Sequence, residues 1–130
     1  MNTDDRLDIL ELIARADTAA TARDADTYVS LFTADAVLDG PTGEIAGTGA
    51  LRRAVGPIWA SEGATSVHLT LNAVIDPPDG GANRAVVRSI LLIVRGGDPP
   101  TIRGLSSIVQ HVVNANGSWR IERRSVYPID

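Results

Sequence analysis

Between Ser66 and Asp76 the chain reads Ser-Val-His-Leu-Thr-Leu-Asn-Ala-Val-Ile-Asp, an alternation that predicts a β-strand. Successive side chains of a strand point to opposite faces. Val67, Leu69, Leu71, Ala73 and Ile75 therefore share one face, and His68, Thr70, Asn72 and Val74 the other. A wholly apolar face opposite one spotted with polar groups implies that the first packs and the second lines a cavity. His68 becomes the first residue to test for chemistry.

Upstream the period is helical. From Asp4 to about Ala22, Leu7, Leu10, Ile13 and Ala14 recur at helical spacing, with Ile9, Leu12, Ala16 and Ala20 beside them. Thr3 or Asp4 is the expected cap, and the early aspartates suit the positive end of the helix. Arg23-Asp-Ala-Asp26 introduces a second helix through Phe32, capped by Asp24 or Asp26, with Tyr28, Val29 and Phe32 turned inward. Ala36–Asp39 reads as a strand, Gly40-Pro-Thr-Gly43 as a turn and Glu44–Ala46 as a short returning arm. A third helix, capped by Thr48, is expected to break at Gly56-Pro57 and resume through Trp59, because proline removes a backbone donor and crowds the preceding turn.

The remainder is β. Ser66–Asp76, Asn83–Arg95 and Thr101–Val113 are separated by Pro77-Pro-Asp-Gly-Gly81 and Gly96-Gly-Asp-Pro-Pro100, and Asn114–Gly117 turns into a last strand from Ser118 to about Tyr127. These elements predict one α+β domain over residues 1–130, three N-terminal helices on a mostly antiparallel meander. If Asp76 pairs with Asn83 and Arg95 with Thr101, the His68 face continues through Ala85, Val87, Ser89 and Leu91 into Leu105, Ser107, Val109 and His111. Both sheet faces are then too apolar for water. Three helices cover only one, so a homodimer through the other is expected.

Composition narrows the function classes. With no cysteine there is neither a disulfide framework nor a thiolate metal site. All the basic residues are arginine, which excludes lysine Schiff-base chemistry and a P-loop lysine. The net charge of −4 is spread along the chain without a basic run, which argues against nucleic acid. No apolar run approaches a membrane span, and Met1–Asp5 is acidic where a signal peptide would be basic. A soluble cytoplasmic protein is expected. Two histidines without a convincing carboxylate partner make a poor metal site, so no metal is assigned.

Five pieces in order carry a family resemblance: Leu31-Phe32 to Asp35-Ala-Val37, Gly47 to Leu51, the strand from His68 to Asn72, Ala85-Val-Val-Arg-Ser89, and Trp119-Arg-Ile-Glu-Arg123. The chain resembles the NTF2-like superfamily and, within it, the SnoaL-like group of small polyketide cyclases, dehydratases and isomerases. That resemblance implies a cone, a strongly bent sheet wrapped around helices and enclosing an apolar pocket. It also implies cofactor-free proton transfer on a hydrophobic, oxygenated small molecule, by isomerisation, dehydration or cyclisation. The alternative is a non-catalytic binding or accessory protein. Such a widely used fold does not fix the function.

Dehydratase and dehydrochlorinase members pair a strand histidine with an aspartate near the end of the first helix. His68 matches that histidine, but Thr21 occupies the place of the aspartate and Ala16 that of a frequent tyrosine. Two carboxylates are candidates to replace it. Asp17 lies one helical turn before Thr21, and Asp39 lies beside the position of the base carboxylate in ketosteroid isomerase. The arginine–aspartate pair of the epoxide hydrolases has no counterpart, since Ser89-Ile90 follows Arg88. The expected catalytic set is His68, Asp17 and Asp39. Asn72, Trp59, Ser89, Leu91, Leu105, Ser107, His111 and Tyr28 are the expected substrate contacts, Asn72 and Ser107 as donors to a developing oxyanion.

Overall fold

The computed structural model describes residues 1–77, 81 and 83–130; the expected turn at Pro77–Gly81 lies largely outside them. Three helices, α1 (Thr3–Thr21), α2 (Ala25–Ser30) and α3 (Thr48–Glu62), pack on a sheet of β1 (Phe32–Gly40), β2 (Gly43–Ala46), β3 (Ser66–Asp76), β4 (Arg84–Arg95), β5 (Thr101–Ala115) and β6 (Ser118–Pro128). The sheet order is β2-β1-β6-β5-β4-β3, antiparallel except where β1 meets β6. β2 and β3 are its open edges, so the expected α+β architecture stands as a curved, unclosed sheet.

α1 starts on Asn2, whose side chain accepts from the Asp5 N–H while the Asp5 carboxylate accepts from the Asn2 N–H. α2 is capped by Asp24, one of the two residues expected. α3 departs from expectation. It runs unbroken through Pro57 and ends at Glu62, one turn beyond Trp59. Proline forfeits one hydrogen bond there, but Leu51, Val55, Trp59 and Glu62 form a single buried stripe that holds both halves against the core.

The register explains which side chains look inward. Arg95 pairs with Thr101 as expected, but Asp76 pairs with Val86 rather than with Asn83. Three strands each carry one extra residue. In β3 the pairs Leu71–Ile90 and Val74–Arg88 bracket two residues of β3 against one of β4, and Asn72 takes a left-handed backbone, φ +57°. In β5 Arg103 is the extra residue between the partners of Ile93 and Val94, and in β6 Glu122 is extra between the partners of His111 and Val112.

Each bulge swaps the two faces beyond it. The inner face therefore holds His68, Ile75, Val87, Ser89 and Leu91, as expected for β4, but Ser106, Ile108, Gln110 and Val112 from β5. Leu105, Ser107, Val109 and His111 turn to the outer face, contrary to the expected continuation. The apolar side of β3 is also not the packed one: Val67, Leu69 and Leu71 are 38%, 39% and 41% exposed, while His68 is 6% exposed. The uncovered apolar face is thus outside and the polar-spotted face inside.

α1 closes the open edge of β3 with side chains. The Asp17 Oδ2 accepts from the Thr70 N–H at 2.8 Å, and the Thr21 hydroxyl oxygen accepts from the His68 N–H at 3.0 Å. Arg23, at the helix end, donates to the Ser66 hydroxyl and the Gly63 carbonyl, both at 2.6 Å. Edge N–H groups that would otherwise template another strand are occupied.

Candidate functional site

A cavity of about 270 Å³ opens between α2, α3, the β1–β2 hairpin and the inner faces of β3–β6. Its walls are mostly apolar, including Leu38, Val55, Ile58, Trp59, Leu91 and Val126. Tyr28 anchors one wall, its ring 5.0 Å from Phe32 and edge-on to Trp59 at 5.2 Å. The Tyr28 hydroxyl makes no hydrogen bond to the described residues. Burial raises its pKa above the ordinary value of 10.0, with Arg124 pulling the other way and Asp17 and Glu62 adding to the rise. It is therefore a neutral O–H donor at physiological pH.

At the inner end of the cavity His68 Nε2 lies 2.6 Å from Glu62 Oε1, with the two side chains 5% and 11% exposed. α3 delivers the carboxylate from its last turn and β3 delivers the imidazole six residues later. With Glu62 ionised, the hydrogen bond assigns the proton to Nε2 and leaves the Nδ1 lone pair free. Nδ1 is buried and has no hydrogen-bond partner among the described residues. A carboxylate that orients an imidazole, with the second nitrogen unspent, is the arrangement of a general base.

The carboxylate on the imidazole is therefore neither of the two expected. Asp17 is at the sheet edge, its Oδ2 accepting from the Thr70 N–H and its Oδ1 buried with no partner among the described residues. Asp39 contributes to the cavity rim, but its carboxylate is bound by the Tyr127 hydroxyl at 2.9 Å and by Ser125 and Arg123 at 3.2 Å each. These donors, foremost Tyr127, hold the Asp39 pKa below the ordinary 3.8. Arg123 also pairs with Glu44 at 2.8 Å.

Of the expected substrate contacts, Tyr28, Trp59 and Leu91 line the cavity. Ser89 is on the inner face with a buried hydroxyl that has no partner among the described residues, but it is not among the lining residues. Asn72 is at the exposed bulge, turned away by its left-handed backbone. Leu105, 42% exposed, and Ser107 and His111 are on the outer face, displaced by the extra residue Arg103.

Two charged lining residues, Glu62 and Arg124, were not among the expected site residues. Glu62 was legible as the polar member of the stripe Leu51, Val55, Trp59, Glu62, but ending the helix at Trp59 hid it. Arg124 was not legible. Alternation from Trp119 and Ile121 points Arg123 inward, and only the bulge at Glu122 turns Arg124 in instead. It is 3% exposed, its Nη1 donates to the Gln110 Oε1 at 3.4 Å, and its guanidinium carbon lies 5.9 Å from the centre of the Tyr28 ring. Among the described residues no group of three or more His, Cys, Asp or Glu side chains is placed to hold a metal ion, and no helix is long and apolar enough to cross a membrane.

The SnoaL-like domain family matches residues 1–125. A Nostoc punctiforme protein of unknown function with a cystatin-like fold is 25% identical, with a TM-score of 0.89 over 99% of this chain and 94% of that one. A proposed scytalone dehydratase from Novosphingobium aromaticivorans superposes with a TM-score of 0.82 at 18% identity, over 97% of this chain and 85% of that one. A proposed dehydratase of the NTF2-like family from Streptomyces avermitilis does so with 0.83 at 13% identity, over 99% of each chain. At those identities the last two show the shared fold alone. None of the curated proteins matches this chain.

Proposed function

Because the chain belongs to the SnoaL-like domain family, whose cone it shares, we propose that it is a proton-transfer enzyme acting on a hydrophobic, oxygenated small molecule held in the cavity. The observation that carries this reading is the buried His68–Glu62 pair, 2.6 Å apart, at the end of an apolar pocket. His68 Nδ1 takes a proton from a carbon next to a carbonyl, Glu62 steadies the imidazolium that forms, and the neutral Tyr28 hydroxyl donates to the oxygen as charge develops. Isomerisation, dehydration and cyclisation all share this first step. The match to the SnoaL-like domain family supports this reading and leaves the substrate open.

The step is testable without the natural substrate. In D2O, NMR of a panel of bicyclic ketones such as 2-tetralone follows exchange of the protons next to the carbonyl. The wild-type chain is expected to accelerate exchange over buffer, and His68→Ala, with an unchanged circular dichroism spectrum, to lose about 100-fold or more. Exchange no faster than buffer, or full exchange in a folded His68→Ala, would overturn the mechanism and favour a carrier.

A further inference from the structure

Arg124 presents an unmet electrostatic demand. A guanidinium carries five N–H donors and a permanent charge, and burying such a charge costs several kcal/mol unless it is paired. Here a 3% exposed guanidinium has one hydrogen bond among the described residues, to a neutral amide oxygen at the long distance of 3.4 Å. The Tyr28 ring at 5.9 Å adds a weak cation–π contact. Among the described residues no carboxylate is within salt-bridge distance. The two acids of the cavity are engaged elsewhere, Glu62 on His68 at 2.6 Å and Asp39 on Arg123, Ser125 and Tyr127.

The residues around it reinforce the demand. Gln110 is directly opposite Arg124 in the sheet, wholly buried, and its Nε2 is a second donor with no acceptor among the described residues. Leu38, beside Arg124 on β1, and Val126, two residues on, make the rest of that wall apolar. A cation of this kind in a greasy wall calls for an anion that comes with the ligand.

We propose that Arg124 is the anion-binding residue of the cavity and that the substrate is a hydrophobic carboxylic acid, its carboxylate on Arg124 and its reacting carbon at His68. A resident carboxylate fits better than an oxyanion formed only during reaction, because the guanidinium is buried throughout and needs its partner in the ground state. The planar fork also matches two carboxylate oxygens at once. This assignment of substrate class rests on the proton-transfer reading for the role of His68, but the binding claim stands apart from it.

Calorimetric titration of the full chain at pH 7 with matched acids and primary amides, naphthoate and naphthamide, cinnamate and cinnamamide, phenylacetate and phenylacetamide, decides the matter. At least one acid is expected to bind about tenfold more tightly than its amide, ~1.4 kcal/mol. Arg124→Gln should abolish the preference while leaving amide binding unchanged, and Arg124→Lys should keep part of it. If no acid exceeds its amide, or a folded Arg124→Gln retains the preference, the proposal is overturned; should Arg124→Gln not fold, the wild-type and Arg124→Lys comparisons still decide. His68→Gln is expected to keep the acid preference. Acid preference without proton exchange would sink the proton-transfer reading alone, and exchange without acid preference would sink the role of Arg124 alone.

Discussion

Replacing Glu62 tests whether the His68 pair is the organising contact of the cavity. The hydrogen bond is 2.6 Å long and its side chains are 5% and 11% exposed, so neither partner recovers water when the other is removed. Glu62→Ala leaves the imidazole with both ring nitrogens unpaired, since Nδ1 already has no partner among the described residues. The desolvated nitrogen costs about 1–3 kcal/mol, and the lost methylene contact adds about 0.8 kcal/mol. The expected destabilisation is about 2–4 kcal/mol, and for a domain of this size each kcal/mol is about 4 °C in Tm. Glu62→Gln keeps the volume and loses the charge, so it should cost about 1 kcal/mol, the difference between a charged and a neutral hydrogen bond. Glu11→Ala is the control. Its partner Arg15 is 3.1 Å away, but both side chains are over 60% exposed, so at most about 0.5 kcal/mol is at stake. Urea unfolding of these variants, with a double-mutant cycle through His68→Gln, should give a coupling of about 1.5–3 kcal/mol for the buried pair. If Glu62→Ala costs no more than Glu11→Ala, the pair does not organise the pocket.

The two tyrosines give a pH signature. The Tyr28 pKa is raised chiefly by burial and that of Tyr127 chiefly by its hydrogen bond to Asp39, both from 10.0. A raised folded pKa means stability that is complete below the unfolded value and lost as pH climbs through 10 toward the folded value. Tyrosinate absorbance at 295 nm should therefore be lower at pH 10 in the native than in the urea-unfolded chain; equal absorbance would contradict both environments. Asn72 holds φ +57° at the β3 bulge. Asn72→Gly should be near neutral, whereas Asn72→Val should lose about 1–2 kcal/mol in the same unfolding assay, and a fully stable valine variant would show that the bulge does not depend on this backbone.

Most of the fold was legible because hydrophobic period and turn chemistry are local. β3 was read to its boundaries, and the Arg95–Thr101 pairing followed from Gly96–Pro100. His68 and Leu91 face the cavity as expected because no bulge lies between them, and Tyr28 and Trp59 line it from helices, which bulges do not affect. Leu105, Ser107 and His111 were misplaced for the converse reason. An extra residue such as Arg103 leaves no mark in a hydrophobic pattern in which both faces are largely apolar. Asp17 was read as a partner for the imidazole, but helical spacing says which face of α1 it is on and not whether that face meets side chains or a strand edge. Glu62 was hidden by proline's usual effect, overridden by the buried stripe that carries α3 through Pro57.

The bulges at Asn72, Arg103 and Glu122 have a consequence for how such a pocket changes over evolutionary time. In a regular sheet the identity of an inward residue is altered by substitution, one position at a time. Here inward and outward are decided by counting, so whether one residue is bulged or paired exchanges whole sets of side chains between interior and surface. Removing the Glu122 bulge would offer the cavity Arg123 and Ser125 in place of Arg124 and Val126, with every amino acid unchanged. A slip of pairing by one residue is thus as large a step in ligand chemistry as several point mutations, whereas deleting the bulged Glu122 itself would leave Arg124 and Val126 facing in, because the pairs Val112–Ile121 and His111–Arg123 already flank it.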